Sequence, residues 1–189
     1  MFKYFLFLFF FVFINNTNAN NKTQIIENLE KTKNLSFEFE QNINGKIENG
    51  SCIIEYPKKI FCKYLENNNK ILVSNGKSLV IKTSTSFYRY PLQKTPLNLI
   101  LDKKYLIKKI NHLNAKIIDQ SFINYTITEN NNEINVFFDN KTFDLIGWQT
   151  KDIYQNLSLL YFLQSKLIRK FLIMYLNYLC KTKFLIFQF

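Results

Sequence analysis

The chain has 189 residues, 47% of them hydrophobic and 17% aromatic, and a formal charge of +11. That length and apolar content supply one compact core and require no second domain. The charge is uneven: over residues 20–165 nineteen bases face fourteen acids, and no basic stripe of the kind that binds nucleic acid is left.

Residues 1–19, MFKYFLFLFFFVFINNTNA, carry one positive charge at Lys3, then an apolar run over 4–14 and a polar stretch ending at Ala19. This is the pattern of a cleavable secretory signal, since the run falls short of the ~20 residues a spanning helix needs. Export places the mature chain where disulfides persist.

Thr23 is placed to cap a short amphipathic helix, TQIIENLEKTK. Leu35, Phe37 and Phe39 then alternate with Ser36, Glu38 and Glu40, which predicts a half-buried strand. From there the period stays near two. Strands are expected over 52–56, 60–64, 71–74, 77–83 and 87–90, and again over 115–120, 123–128, 134–138 and 145–148. Asn75-Gly76 is the strongest hairpin signal, because a type I′ turn needs positive φ at both central residues. Thr95-Pro96 opens a short helix through LNLILD, and residues 103–111 have apolar residues at helical spacing. The expected fold is mainly β with a few helices, of the α+β class. A long antiparallel sheet curls, and the helices cover one of its faces.

Cys52 and Cys62 flank the Tyr56-Pro57-Lys58 turn signal. A three-residue loop there sets the two cysteines directly opposite each other, within reach of a disulfide. Zinc would need two further ligands, and Cys180 with His112 is a poor supply. A redox couple would want Cys-x-x-Cys opening a helix. A structural disulfide is therefore expected.

Catalytic and metal-binding constellations are missing from the sequence. His112, the one histidine, lies in a polar stretch and reads as a surface or capping residue. No glycine-rich phosphate loop or nucleophile elbow occurs, and no cofactor is expected. What remains is apolar surface in excess. Phe37, Phe39, Ile54, Tyr56, Leu79, Ile81, Tyr88, Tyr90 and Trp148, if they share one side of the curled sheet, form a concave aromatic and aliphatic wall. That wall either lines a cavity or is filled by helices as ordinary core.

The succession LSFEFEQ, GSCIIEYPKKIFCKY, KILVSNGKSLVIK, FYRYPLQKTPLNLIL and FDLIGWQTKD resembles the outer-membrane lipoprotein carrier family, LolA, over roughly residues 23–155. The resemblance implies an incomplete antiparallel β-barrel closed by helices, whose hydrophobic cavity shelters the acyl chains of lipoproteins in the periplasm. It further implies an inner-membrane ABC transporter as donor and an outer-membrane receptor as acceptor; with the missing catalytic constellation and the missing basic stripe, the expectation is a monomer that is not an enzyme and has no nucleic-acid partner. The receptor branch of the fold fits less well, because Asn20 rather than a lipid-bearing Cys follows Ala19. The rivals are a structural or regulatory envelope module with a filled interior and a lipid hydrolase, the latter disfavoured by the lack of a His near any Ser.

Two departures stand out. The family commonly places a lid-holding Arg before the Pro of its second motif, where this chain has Tyr56 before Pro57, with Lys58 and Lys59 as other donors. The second departure follows Asp152, where the family continues in strands. Here the chain runs on without Gly, Pro or acid, with bases at Lys166, Arg169 and Lys170. The expected division is a signal over 1–19, a carrier-like domain over 20–155 and an apolar basic tail over 156–189. That tail reads as a helix apolar almost all round, or as out-of-frame translation of AT-rich DNA.

Overall fold

The computed structural model describes residues 17–65, 69–129, 132–152 and 155–163. The signal stretch up to residue 16, Cys180 and the tail beyond residue 163 lie outside these. Helix α1 (Thr17–Lys31) leads into strands β1 (Asn34–Ile43), β2 (Lys46–Glu55), β3 (Lys59–Tyr64), β4 (Ile71–Asn75), β5 (Ser78–Lys82) and β6 (Phe87–Pro91). A 3₁₀ turn and helices α2 (Leu97–Leu101) and α3 (Lys103–Asn111) follow. Strands β7 (Lys116–Ile118), β8 (Phe122–Glu129), β9 (Asn132–Asp139), β10 (Leu145–Lys151) and β11 (Leu157–Phe162) complete the described chain.

All eleven strands belong to one antiparallel sheet in the order β6-β5-β4-β3-β2-β1-β11-β10-β9-β8-β7. Strands β6 and β7 are its two edges, so the sheet does not close. The chain between them is the α2-α3 segment, which carries it from one edge to the other. Residues from one face of β1 to β5 and β8 to β11 pack into a single large core that also takes Ile25 and Leu29 of α1, Leu99, Ile100 and Leu101 of α2, and Leu106 and Ile110 of α3. This is the incomplete barrel under helices that the strand pattern implies. A smaller cluster, Phe122, Phe137, Leu159 and Tyr161, lies on the opposite face of the sheet.

Residues 157–162 correct the expectation of a helical tail from 156 onward. They form β11, paired on one side with β1 and on the other with β10. The stretch LSLLYF shows no alternation because both its faces are buried, Leu160 and Phe162 in the main core and Leu159 and Tyr161 in the second cluster.

The turns also differ in detail from expectation. A hairpin does form at Asn75-Gly76, but only Gly76 takes a positive φ, 91°. The turn is held instead by the Asn75 side chain, whose Oδ1 accepts from the amides of Lys77 and Ser78 at 3.0 Å each. The two-residue I′ geometry occurs at Asn44-Gly45, with φ of 49° and 92° between the paired Ile43 and Lys46.

Two motif glycines are required by close packing. A Cβ on Gly50 would meet the Lys63 carbonyl oxygen and lie 2.7 Å from Cζ of Phe39. At Gly147 it would meet the Leu160 carbonyl oxygen and lie 2.9 Å from Cα of Tyr161. Gly50 thus lets the Phe39 ring lie flat over β2, where it packs edge-on against Tyr64 at 5.1 Å. Gly50→Ala is expected to lower unfolding stability by about 1–3 kcal/mol, the range for overpacking a core. A urea midpoint equal to wild type would contradict that assignment.

Candidate functional site

Beneath the α2 end of the helical cover, the concave face of the sheet leaves a cavity of about 320 Å³. Its wall is aliphatic and aromatic: Leu72 on β4, Leu79 and Ile81 on β5, Tyr88 and Tyr90 on β6, Trp148 on β10 and Leu160 on β11. Thr95, Pro96 and Leu97 border it from the lid side. Of the wall residues expected from sequence, Leu79, Ile81, Tyr88, Tyr90 and Trp148 border this space. Phe37, Phe39 and Ile54 share the face but are sealed in the core. The Phe37 ring stacks on Phe162 at 3.7 Å, and Trp148 meets both edge-on at 6.3 and 5.8 Å. That triad fills part of the sheet's centre, and the cavity lies beside it, bordered by Trp148 and by residues of β1, β3 to β6, β10 and β11. Sequence reading missed Ile43, Gln41, Lys70 and Ser158, which also border the cavity. The extension of the β1 alternation through Gln41 and Ile43 was the available signal for two of them.

Cys52 and Cys62 stand directly opposite in the β2-β3 ladder and are joined as a disulfide, with Cα atoms 4.1 Å apart. The loop between the strands is Tyr56, Pro57 and Lys58, with a cis Tyr56-Pro57 peptide. The bond lies on the concave face, where Cys62 borders the cavity.

The lid is tied down by a few polar contacts. Asp102 caps α3 by accepting from the Tyr105 amide at 3.1 Å. It also receives the Lys58 ammonium at 3.1 Å, while the Lys58 amide donates to the Leu101 carbonyl at 2.8 Å. On the other side, the Tyr105 hydroxyl donates to Glu129 at 2.8 Å, and Lys109 lies 3.5 Å from the same carboxylate. Helices α1 and α3 cap each other's C-termini. Lys22 donates to the carbonyls of Asn111 and Leu113, and Lys103 to those of Glu30 and Thr32.

Tyr56, Lys58 and Lys59 stand in different relations to the lid. Tyr56 borders a separate small pocket beside Leu29, Thr32 and Phe143 rather than the main cavity. Its buried hydroxyl has no hydrogen-bond partner, and burial pushes its pKa up to about 12. Lys59 pairs with Glu55 on the exposed strand face. Lys58 links the β2-β3 hairpin to the α2-α3 junction by an ion pair and an amide bond, and the Lys103 ammonium of α3 lies 5.6 Å from the Tyr56 ring centroid. His112 is the exposed C-cap of α3. Among the described residues no cluster of three or more His, Cys, Asp or Glu is placed to hold a metal. Among them too, no helix is long and apolar enough to cross a membrane.

Ion pairs as solvent-exposed as Lys58–Asp102 contribute at most about 1 kcal/mol. Lys58→Met is accordingly expected to raise amide exchange in α3 by up to about fivefold. Tyr56→Phe is expected to leave that exchange unchanged and the protein at least as stable, since it removes a buried hydroxyl without a partner. A larger effect from Tyr56→Phe than from Lys58→Met would reverse the assignment.

The family model for the outer membrane lipoprotein carrier protein LolA matches residues 30–171. No curated protein matches the chain. Among solved structures it is similar to the MucA/MucB complex of Pseudomonas aeruginosa at 11% identity and a TM-score of 0.44, covering 79% of this chain and 56% of that one. The chain thus spans little more than half the length of that relative. It is similar as well to a LolA superfamily protein from Nitrosomonas europaea, at 7% identity, a TM-score of 0.38 and coverages of 78% and 91%. A DUF1329 family protein from Desulfovibrio piger matches at 5% identity and a TM-score of 0.39, covering 79% of this chain and 92% of that one.

Proposed function

Because the chain belongs to the outer membrane lipoprotein carrier family, a family of periplasmic lipid- and lipoprotein-binding modules, we propose that it is a carrier of lipoprotein acyl chains. In this reading it is exported through a cleavable signal, takes cargo from an inner-membrane ABC transporter and yields it to an outer-membrane receptor. Sequestration needs an apolar space and a cover that opens. It needs no reacting group.

The observation that carries the reading is the half-open apolar cavity between the concave sheet and the edge of the helical lid. Its 320 Å³ is at the small end of the range for ligand pockets, on the scale of one acyl chain. Burial of each CH₂ contributes about 0.8 kcal/mol, so a chain of about twelve carbons releases roughly 10 kcal/mol before ordering costs. That exceeds by far the about 1 kcal/mol of each polar lid tie. The polar ties are thus no barrier to loading, and an opening of the lid must be offset mainly against the apolar burial of Leu99 to Leu101, Leu106 and Ile110. The same arithmetic makes spontaneous release slow, so unloading requires an acceptor that covers the chains as they leave.

The purified protein is expected to bind a fluorescent fatty acid saturably. Ile81→Asp, a change at a partly exposed cavity position that leaves the core triad untouched, is expected to weaken binding at least tenfold with an unchanged circular dichroism spectrum. A protein that binds no probe would favour a structural envelope module with a filled interior.

A further inference from the structure

The apolar wall of the cavity ends in a polar band that bare acyl chains do not require. Ser158 on β11, Gln41 on β1, Glu48 on β2, Tyr64 on β3 and Lys70 just before β4 form one connected series across five adjacent strands. Gln41 Nε2 donates to Ser158 Oγ at 2.7 Å, and the Tyr64 hydroxyl donates to Gln41 Oε1 at 2.8 Å. The Lys70 ammonium lies 4.0 Å from the Tyr64 ring centroid and donates to Glu48 Oε2 at 2.6 Å. Lys46 approaches the other Glu48 oxygen at 3.3 Å. Glu48 is 5% exposed and Ser158 6%. Burial alone raises the Glu48 carboxyl pKa, yet the bonds and charges of Lys70 and Lys46 outweigh it and hold the group below its ordinary value.

The chemistry the band offers follows from its donors and acceptors. Both ends of the Gln41 amide are engaged by Ser158 and Tyr64. The Tyr64 hydrogen is committed to Gln41, and the Glu48 carboxylate is covered by two ammonium groups. Ser158 receives a bond and keeps its own hydrogen to donate, and Lys70 has two N–H groups beyond the one on Glu48. Gln41, Tyr64, Lys70 and Ser158 all border the cavity, whereas Glu48 does not. The band thus turns donors toward the ligand space; Lys70 is the charge of the band that borders it, and Lys151 and Asp152 add one charge of each sign elsewhere on the cavity border.

We propose that this band is a head-group site: it receives the carboxylate or ester oxygens at the end of an acyl chain that lies along Leu72, Ile81, Tyr88 and Trp148. The chain then enters in one orientation, its head at the Lys70 end. This rests on the reading that the cavity holds acyl chains and adds which end of the ligand the protein recognises.

The full chain is titrated with dodecanoate, methyl dodecanoate and dodecyltrimethylammonium, which share a tail and differ in head. Dodecanoate and the ester are expected to bind at least tenfold tighter than the ammonium, whose head accepts no hydrogen bond. Lys70→Met and, separately, Ser158→Ala are expected to weaken the two acceptor-bearing ligands at least threefold while leaving the ammonium unchanged. Ser158→Ala keeps the Lys70–Glu48 pair and so covers the case in which Lys70→Met fails to fold. Equal affinities for the three ligands, or equal losses across them, would overturn the head-group site and leave the apolar carrier reading standing. No binding of any of them would overturn both.

Discussion

The pairing of β1 with β11 holds the molecule together. Strands β1 to β6 make one meander and β7 to β10 another, and β11 is the strand that joins them. Five residue pairs, from Phe39 with Phe162 to Ile43 with Ser158, bind it to β1, and five more bind it to β10. The Phe37, Phe162 and Trp148 rings interlock one strand from each side with β11 itself. A sheet formed this way is long enough to curl, and its concave face is larger than three short helices can fill. The cavity is what remains uncovered.

That constraint divides the concave face into two functions. At the centre Phe37, Phe39 and Phe162 are sealed in the core, and Trp148 stands between them and the cavity. Toward β6 the side chains are comparable in chemistry, but they meet the edge of the lid instead of one another. The lid depends on the sheet in turn: Lys58 reaches it from the β2-β3 hairpin and Glu129 from β8. Its polar ties are weak individually, and its apolar anchors, Leu99 to Leu101, Leu106 and Ile110, provide most of its hold. In the proposed carrier, a chain loads by offering apolar contact comparable to what these anchors make with the sheet.

Much of the architecture was legible as alternation, because most strands bury one face. The β2-β3 hairpin could be registered from sequence alone, since Tyr56-Pro57-Lys58 fixes an odd loop and so sets Cys52 against Cys62. β11 was illegible for the opposite reason: with both faces buried, LSLLYF has no period, and it sits next to a run of similar composition. The three Asn-Gly dipeptides look alike in sequence and differ in structure: Asn49-Gly50 lies inside β2, Asn44-Gly45 makes a two-residue turn, and at Asn75-Gly76 the Asn side chain itself makes the turn. For the cavity, period two told which side Phe37, Ile54 and Ile81 face. It could not tell which of them are covered, a property of how far the lid extends across the sheet. The polar band was missed because its members are single residues on four strands and just before a fifth, joined only once the register is known.

The central claim is that the space beside Trp148 takes an acyl chain. Trp148 is the only tryptophan in the chain and borders the cavity, so it reports on the site without any label. Titration with a fatty acid brominated along its chain should quench the Trp148 emission saturably, and the unbrominated acid should restore it by competition. Emission that stays constant through the titration, while the protein remains folded, would contradict the account.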